Sequence, residues 1–264
     1  MSTINLGADE FETFCASVSG LCGIDLAQYK RSQMERRIRT FADRRGISKL
    51  KDYFAMLRED KAELDAFLDR VTINISQLWR NPEQWDLLAR KVLPELAGRM
   101  RLRAWSAGCS YGAEAYTLAG VCSDVLPKVR ADILGTDIDR RMVDRARTGI
   151  FSVDDARDVP RTQRSRWFTE LEGRLHADAK LKAACRFEIG DLLTMRPARA
   201  VYDLVLCRNT VIYFTSEVKD ALHARLAAAL VPGGYFMVGS TERISSPAQL
   251  GLEIAHPFVY RRVA

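Results

Sequence analysis

From the first residues to about position 92, apolar side chains recur at spacings of three and four, the period of one helical face. Phe11 to Gly20 and Asp25 to Arg45 carry the pattern, and Ser48-Lys49-Leu50 opens another helix that runs to about Glu59. A further helix begins near Lys61 and places Leu64, Phe67, Leu68 and Val71 on one face. No strand pattern interrupts this stretch. From Arg101 the pattern changes. The short apolar runs Leu102-Arg103-Ala104-Trp105, Ala131-Asp132-Ile133-Leu134, Phe187-Glu188-Ile189 and Leu204-Val205-Leu206 alternate with amphipathic segments near 111–126, 139–147 and 216–230. Strands separated by helices of that length predict right-handed βαβ units and a mainly parallel sheet. Val231-Pro232-Gly233-Gly234 is expected to stop a helix ahead of a strand at Tyr235 to Val238, and Leu252 to Ala255 with Phe258 to Arg261 to add an antiparallel pair. Residues 158–186, with Trp167-Phe168 among several charges, fit the alternation poorly and read as an insertion between strands.

Composition narrows the setting. A chain of 264 residues, 47% hydrophobic and 28% charged, supports one large or two small globular domains with an ample core. Neither a run of about 18 apolar residues nor a basic-then-apolar leader is present, so a cytoplasmic protein without membrane insertion is expected. The six cysteines are scattered without a CxxC spacing, which points to buried reduced thiols and to no metal site. The net charge of +6 suits nucleic acid, an anionic surface or an acidic protein partner, and does not choose among them.

Four segments carry candidate chemistry. Trp105 to Glu114 follows the first strand and enters a helix, and its small residues (Ala107, Gly108, Gly112) allow a ligand to approach the backbone at a helix amino end. The spacing Gly-x-x-x-Gly departs from the dinucleotide GxGxxG and suits the methyltransferase version of the fold; an ordinary packed turn is the other reading. Asp137, in Thr136-Asp137-Ile138-Asp139 at the end of the second strand, stands where a carboxylate accepts both ribose hydroxyls of an adenosine cofactor, or else caps a helix, the role expected of Asp139. Asp191-Leu192-Leu193 follows the third strand, where a carboxylate meets an adenine amino group and leucines flank the ring. Arg208 and Asn209 directly follow the buried-type run Leu204-Val205-Leu206, a costly position for polar groups unless they are paired or used.

Together these residues resemble one family, the chemotaxis receptor protein-glutamate O-methyltransferases. The resemblance covers nearly the whole chain: Tyr29-Lys30 with Gln33-Met34 and Arg36-Arg37, then Thr72 to Arg80, Trp105 to Tyr116, Thr136 to Asp139, Cys207 to Phe214, and Gly239-Ser240-Thr241-Glu242. It implies a doubly wound, Rossmann-like α/β sheet with an N-terminal all-α domain (1–75) for receptor docking and a linker and helix (76–95) contributing to the cofactor pocket. The S-adenosylmethionine-binding domain would span 96–264, with 158–186 as a small β insertion. Carried over by position, Asn74, Ser76, Arg80, Ala107, Gly108, Glu114, Asp137, Asp191, Leu192, Arg208 and Asn209 would line the cofactor pocket, with Arg80 and Tyr213 nearest the reacting methyl. The substrate would be glutamate side chains on the cytoplasmic helices of chemoreceptors, giving 5-O-methyl esters and S-adenosylhomocysteine for sensory adaptation, from a monomeric enzyme that needs no nucleic acid.

The family usually reads Gly-Glu-Glu-Pro-Tyr where this chain has Gly112-Ala113-Glu114-Ala115-Tyr116, and often has Thr at position 76. Those alanines are the support for an alternative, a catalytically weakened cofactor- or receptor-binding module of the same fold. A nucleic-acid methyltransferase would instead place Pro-Cys or an Asn/Asp-Pro-Pro-Tyr-like site where Arg208-Asn209-Thr210-Val211 stands. On a helical wheel Lys30, Arg36, Arg37 and Arg44 share an arc beside Met34, Ile38 and Phe41, a candidate docking face for acidic receptor helices, or a merely solvated one.

Overall fold

The computed structural model describes residues 9–71 and 76–263, so Asn74 lies outside the described residues. Two compact units emerge: the described part of Met1–Asn74 together with Tyr213–Val218, and Ile75–Ile212 with the remainder from Lys219.

The first unit is helical. α1 (Glu10–Cys22) starts at Asp9, whose carboxylate accepts the Glu12 amide at 2.9 Å, and α2 (Arg31–Asp43), α3 (Leu50–Glu59) and α4 (Lys61–Val71) follow. The single helix expected over Asp25 to Arg45 is broken. Asp25 accepts from the Ala27 amide and the Gln28 side chain, closing a short 3-10 turn, and Tyr29 is extended before α2 begins. An aromatic cluster forms the core, with Phe14, Tyr53 and Phe67 at ring separations of 6.1 to 6.2 Å and the Phe41 ring edge-on to Tyr53. The Tyr213–Val218 segment belongs here: the Lys30 amide donates to the Tyr213 carbonyl at 2.8 Å, and Tyr29 meets Phe214 edge-to-face at 4.9 Å.

The second unit starts with α5 (Pro82–Leu87), which loosens through a π-turn and then tightens through a 3-10 turn to Leu96. β1 (Arg101–Ala107), α6 (Ala113–Val125), β2 (Arg130–Asp137) and α7 (Arg140–Thr148) are the first βαβα run. Then come β3 (Ile150–Ser152), α8 (Arg161–Trp167), β4 (Phe168–Leu171), β5 (Arg174–Ala177), α9 (Ala179–Ala184), β6 (Cys185–Ile189) and β7 (Tyr202–Cys207). α10 (Ser216–Ala229), β8 (Leu230–Val238), β9 (Leu252–His256) and β10 (Val259–Arg262) complete the chain. The seven-stranded sheet runs β6-β2-β1-β7-β8-β10-β9, parallel through β8 and antiparallel at β10 and β9. This is the doubly wound, Rossmann-like order, reversing direction on either side of β1. Val231 to Gly234 do not precede β8 but bulge within it, since Tyr202 pairs with Leu230 and Leu204 with Tyr235. The small antiparallel sheet, β3-β5-β4, takes its first strand from Ile150–Ser152, upstream of the 158–186 stretch.

Apolar residues at the inner positions of β1, β2, β7 and β8 make the sheet core; residues Asp203–Cys207 are buried without interruption. Three tryptophans join it: Trp79 stacks on Trp85 at 6.2 Å and meets Trp167 at 5.5 Å. All six cysteines are free, and no described helix is long and apolar enough to cross a membrane.

Candidate active site

The carboxyl ends of β1, β2 and β7 converge. β1 stops at Ala107, and the Gly108 and Cys109 amides both donate to the Thr136 carbonyl at 2.9 Å, tying the turn to β2. Gly108 and Gly112 sit at φ of +81° and +86°, a backbone region costly for any residue with a Cβ. At Gly108 space is short as well: an added Cβ would stand 2.6 Å from Thr210 Oγ1. Asp137 is buried against this turn, accepting the Ser110 amide at 2.8 Å on one oxygen and the Asp139 amide at 3.0 Å on the other. Burial pushes its carboxyl pKa up, and those two amides pull it down. Each oxygen keeps a lone pair for another donor. Asp139 caps α7, accepting the Arg141 amide at 2.9 Å, the role the sequence suggested for it.

Beside the turn lies a buried ion pair. Glu114, on the first turn of α6, accepts from Ser106 Oγ at 2.8 Å and pairs with Arg208 Nη1 at 3.2 Å. Arg208, whose side chain is only 2% exposed, also donates to Gln84 Oε1 at 2.9 Å and to the Arg80 carbonyl at 2.7 Å, and lies 4.9 Å over the Trp85 ring. The family resemblance put Arg208 on the cofactor; its hydrogen bonds here go to the Arg80 carbonyl, the Asn81 side-chain oxygen, Gln84 and Glu114. Arg80, half-buried, is flanked by Trp79 and Asn81 in left-handed conformations at φ of 60° and 61°, a strain that surrounding contacts must hold. Ala113 and Ala115, the departures from the family pattern, are buried in α6.

Asp191 closes the turn after β6, accepting from the Leu193 amide at 2.8 Å and from Thr194 Oγ1 at 3.1 Å. Arg225 on α10 holds the buried Leu192 through its carbonyl at 2.9 Å. Asn209, at φ 58°, is fixed by Glu242, whose carboxylate accepts the amides of Asn209, Gly239 and Val211 at 2.8, 2.7 and 3.2 Å. The Ser76 carbonyl accepts from the Tyr111 hydroxyl. Ser76, Arg80, Ala107, Gly108, Glu114, Asp137, Asp191, Leu192, Arg208 and Asn209 thus all belong to the sheet unit. Tyr213 belongs to the helical unit, where the Arg37 guanidinium lies 5.4 Å from its ring centre. There Arg36, Arg37 and Arg44 line a groove of about 290 Å³ with Arg70, while Lys30 shares a neighbouring depression with Tyr213. Sequence reasoning missed the roles of Gln84, Thr210, Tyr111 and the Glu242 carboxylate; Thr210, Tyr111 and Glu242 stood within quoted motifs, and Gln84 carried no signal.

Two family models match the chain along most of its length: "CheR methyltransferase, SAM binding domain" over residues 74–255 and "CheR methyltransferase, all-alpha domain" over residues 9–72. The chain belongs to the CheR methyltransferase family. A chemotaxis protein methyltransferase of Listeria monocytogenes is 36% identical over 90% of this chain and 91% of its own length. Chemotaxis protein methyltransferase 1 of Vibrio cholerae is 28% identical over 93% of each chain, and its namesake in Pseudomonas aeruginosa is 28% identical over 90% of this chain and 91% of its own. This family member is therefore a methyltransferase with S-adenosylmethionine as its cofactor. The residues present fit that group. The Ser110 hydroxyl, within the glycine turn, is buried without a partner among the described residues, and Asp137 beside it retains accepting capacity.

Proposed function

We propose that this chain transfers a methyl group to glutamate carboxylates on the cytoplasmic helices of chemoreceptors, giving glutamate 5-O-methyl esters and leaving S-adenosylhomocysteine, in sensory adaptation. The arginine groove of the helical unit carries the choice of an acidic substrate: four guanidiniums gather on one surface of a chain whose net charge is +6. The names of the curated relatives support the chemotactic setting.

Bound S-adenosylmethionine supplies an electrophilic methyl on a sulfonium. The remaining requirements fall to the protein. Asp137 would accept the ribose hydroxyls, Ser110 would donate to the same region, and Asp191 and Leu192 would meet the adenine. A glutamate carboxylate is already ionised near pH 7, so alignment and partial desolvation suffice and no general base is called for. Arg80, through its planar fork, and the Tyr213 hydroxyl are assigned to orienting the carboxylates. Arg36, Arg37, Arg44 and Lys30 are assigned to receptor docking. The protein is expected to act in the cytoplasm as a monomer, with residues 1–75 as docking domain, 76–95 as linker and 96–264 as catalytic domain.

Incubation with methyl-tritiated cofactor and receptor-containing membranes tests the proposal. Label should enter the receptor band and leave as volatile methanol in alkali. Base-stable label, or label in nucleic acid, would end it.

A further inference from the structure

Residues 76 to 79 are held one after another, and most of the grip comes from the turn between β3 and α8. The Ser76 carbonyl accepts from the Tyr111 hydroxyl. Gln77 pairs with Arg157, at 2.6 Å, and with Asp158. The Leu78 amide donates to the Asp155 carbonyl at 2.9 Å, and the Trp79 amide to Thr117 Oγ1 at 3.0 Å on α6. The Gln77 contacts are exposed and worth little. Asp155 is different. Its side chain is only 15% exposed and holds three donors: Oδ1 accepts from the Tyr111 hydroxyl at 2.9 Å, and Oδ2 from Arg145 at 2.7 Å and the Ser152 amide at 2.8 Å. Arg145 in turn lies 3.8 Å over the Tyr111 ring. Tyr111 stands in the glycine turn itself, three residues past Gly108. Its single hydroxyl proton is shared between the Ser76 carbonyl and the Asp155 carboxylate, so the segment leading to Arg80, the turn and the small-sheet module meet at one hydroxyl.

We propose that Asp155, acting through Tyr111, is a positioning residue for the cofactor site: it fixes the Ser76–Arg80 segment against the glycine turn in the geometry that binds cofactor. The inference rests on the methyltransferase reading and adds to it a residue that need not touch cofactor. Left without this anchor, the two left-handed residues beside Arg80 have one constraint fewer to hold them.

Calorimetry with S-adenosylhomocysteine on Tyr111→Phe, Asp155→Asn and the double variant tests it, with hydrogen exchange of a peptide covering residues 76–81 in cofactor-free protein. Tyr111→Phe keeps the ring beneath Arg145 and loses one hydroxyl, so it decides should Asp155→Asn not fold. Each single variant should bind about tenfold more weakly, near 1.4 kcal/mol, and the double variant no more weakly than the worse single, because both act at one hydroxyl. Exchange over 76–81 should quicken, and Asp158→Ala should match wild type in both assays. Affinities within twofold of wild type, a multiplicative loss in the double variant, or a lowered melting temperature with affinity preserved would overturn the proposal. Wild-type protein that binds no S-adenosylhomocysteine would instead overturn the functional reading beneath it.

Discussion

Arg208 illustrates how a buried charge is made tolerable. Desolvation works against its ionised form, and Glu114, the Gln84 amide oxygen and the Arg80 carbonyl compensate at hydrogen-bond distance. Removing one partner of such a pair strands the other. Arg208→Met should therefore destabilise the protein by about 3 to 5 kcal/mol in urea melts, and Glu114→Gln, which keeps a neutral acceptor, by less. Gly108→Ala combines a positive φ with a collision against Thr210, and should abolish binding of S-adenosylhomocysteine; Thr210→Gly in the same chain should restore only part of it, since the backbone strain remains. Asp137 was legible beforehand because the carboxyl end of a strand and a glycine turn are both local signals. Gln84 was not, because its partner Arg208 is 124 positions away and nothing near residue 84 announces the pairing. The same holds for Asp155, which reads locally as one of two adjacent acids in Asp154-Asp155.

Among the elements, α10 holds an unusual passenger. His223 is fully buried, edge-on to Phe236 at 5.7 Å, with neither ring nitrogen partnered among the described residues. Burial, with a smaller push from Lys219, pulls its pKa down to about 4. The folded state thus binds fewer protons than the unfolded chain, whose histidine titrates near 6.5. That contribution to stability is complete above about pH 6.5 and drains away as pH falls towards 4, amounting to about 2 kcal/mol by pH 5. Urea melts at pH 7.5 and 5 should show this loss in wild type and a much flatter response in His223→Leu. A wild-type profile no steeper than the variant's would exclude it. The helix pattern of residues 10–71 and the five parallel strands were readable from periodicity. The break at Tyr29 was not, because Leu26, Met34, Ile38 and Phe41 stay in helical phase across it while the Asp25 turn acts through side-chain bonds. The small sheet was expected through the family resemblance alone, because strands of three or four residues are too short for alternation to register, and its first strand fell upstream of the expected stretch.

At the scale of the molecule, the arginine groove falls in the helical unit and the glycine turn in the sheet unit. Arg36 and Arg44 are exposed in the helical unit, away from the Arg37 contact with Tyr213, which makes them the cleaner probes of docking. The pair Arg36→Glu with Arg44→Glu should raise KM for receptor about tenfold or more, leave S-adenosylhomocysteine affinity unchanged, and remove most of the salt dependence of wild-type methylation between about 0.05 and 0.5 M. An unaltered KM would move docking elsewhere. The four tryptophans, Trp79, Trp85, Trp105 and Trp167, all fall in the sheet unit, three of them in one cluster that Arg208 touches. Excitation at the red edge of the indole band therefore reads the sheet unit and is blind to the helical one, so loss of the N-terminal helices would pass unseen in an emission trace and must be followed by circular dichroism.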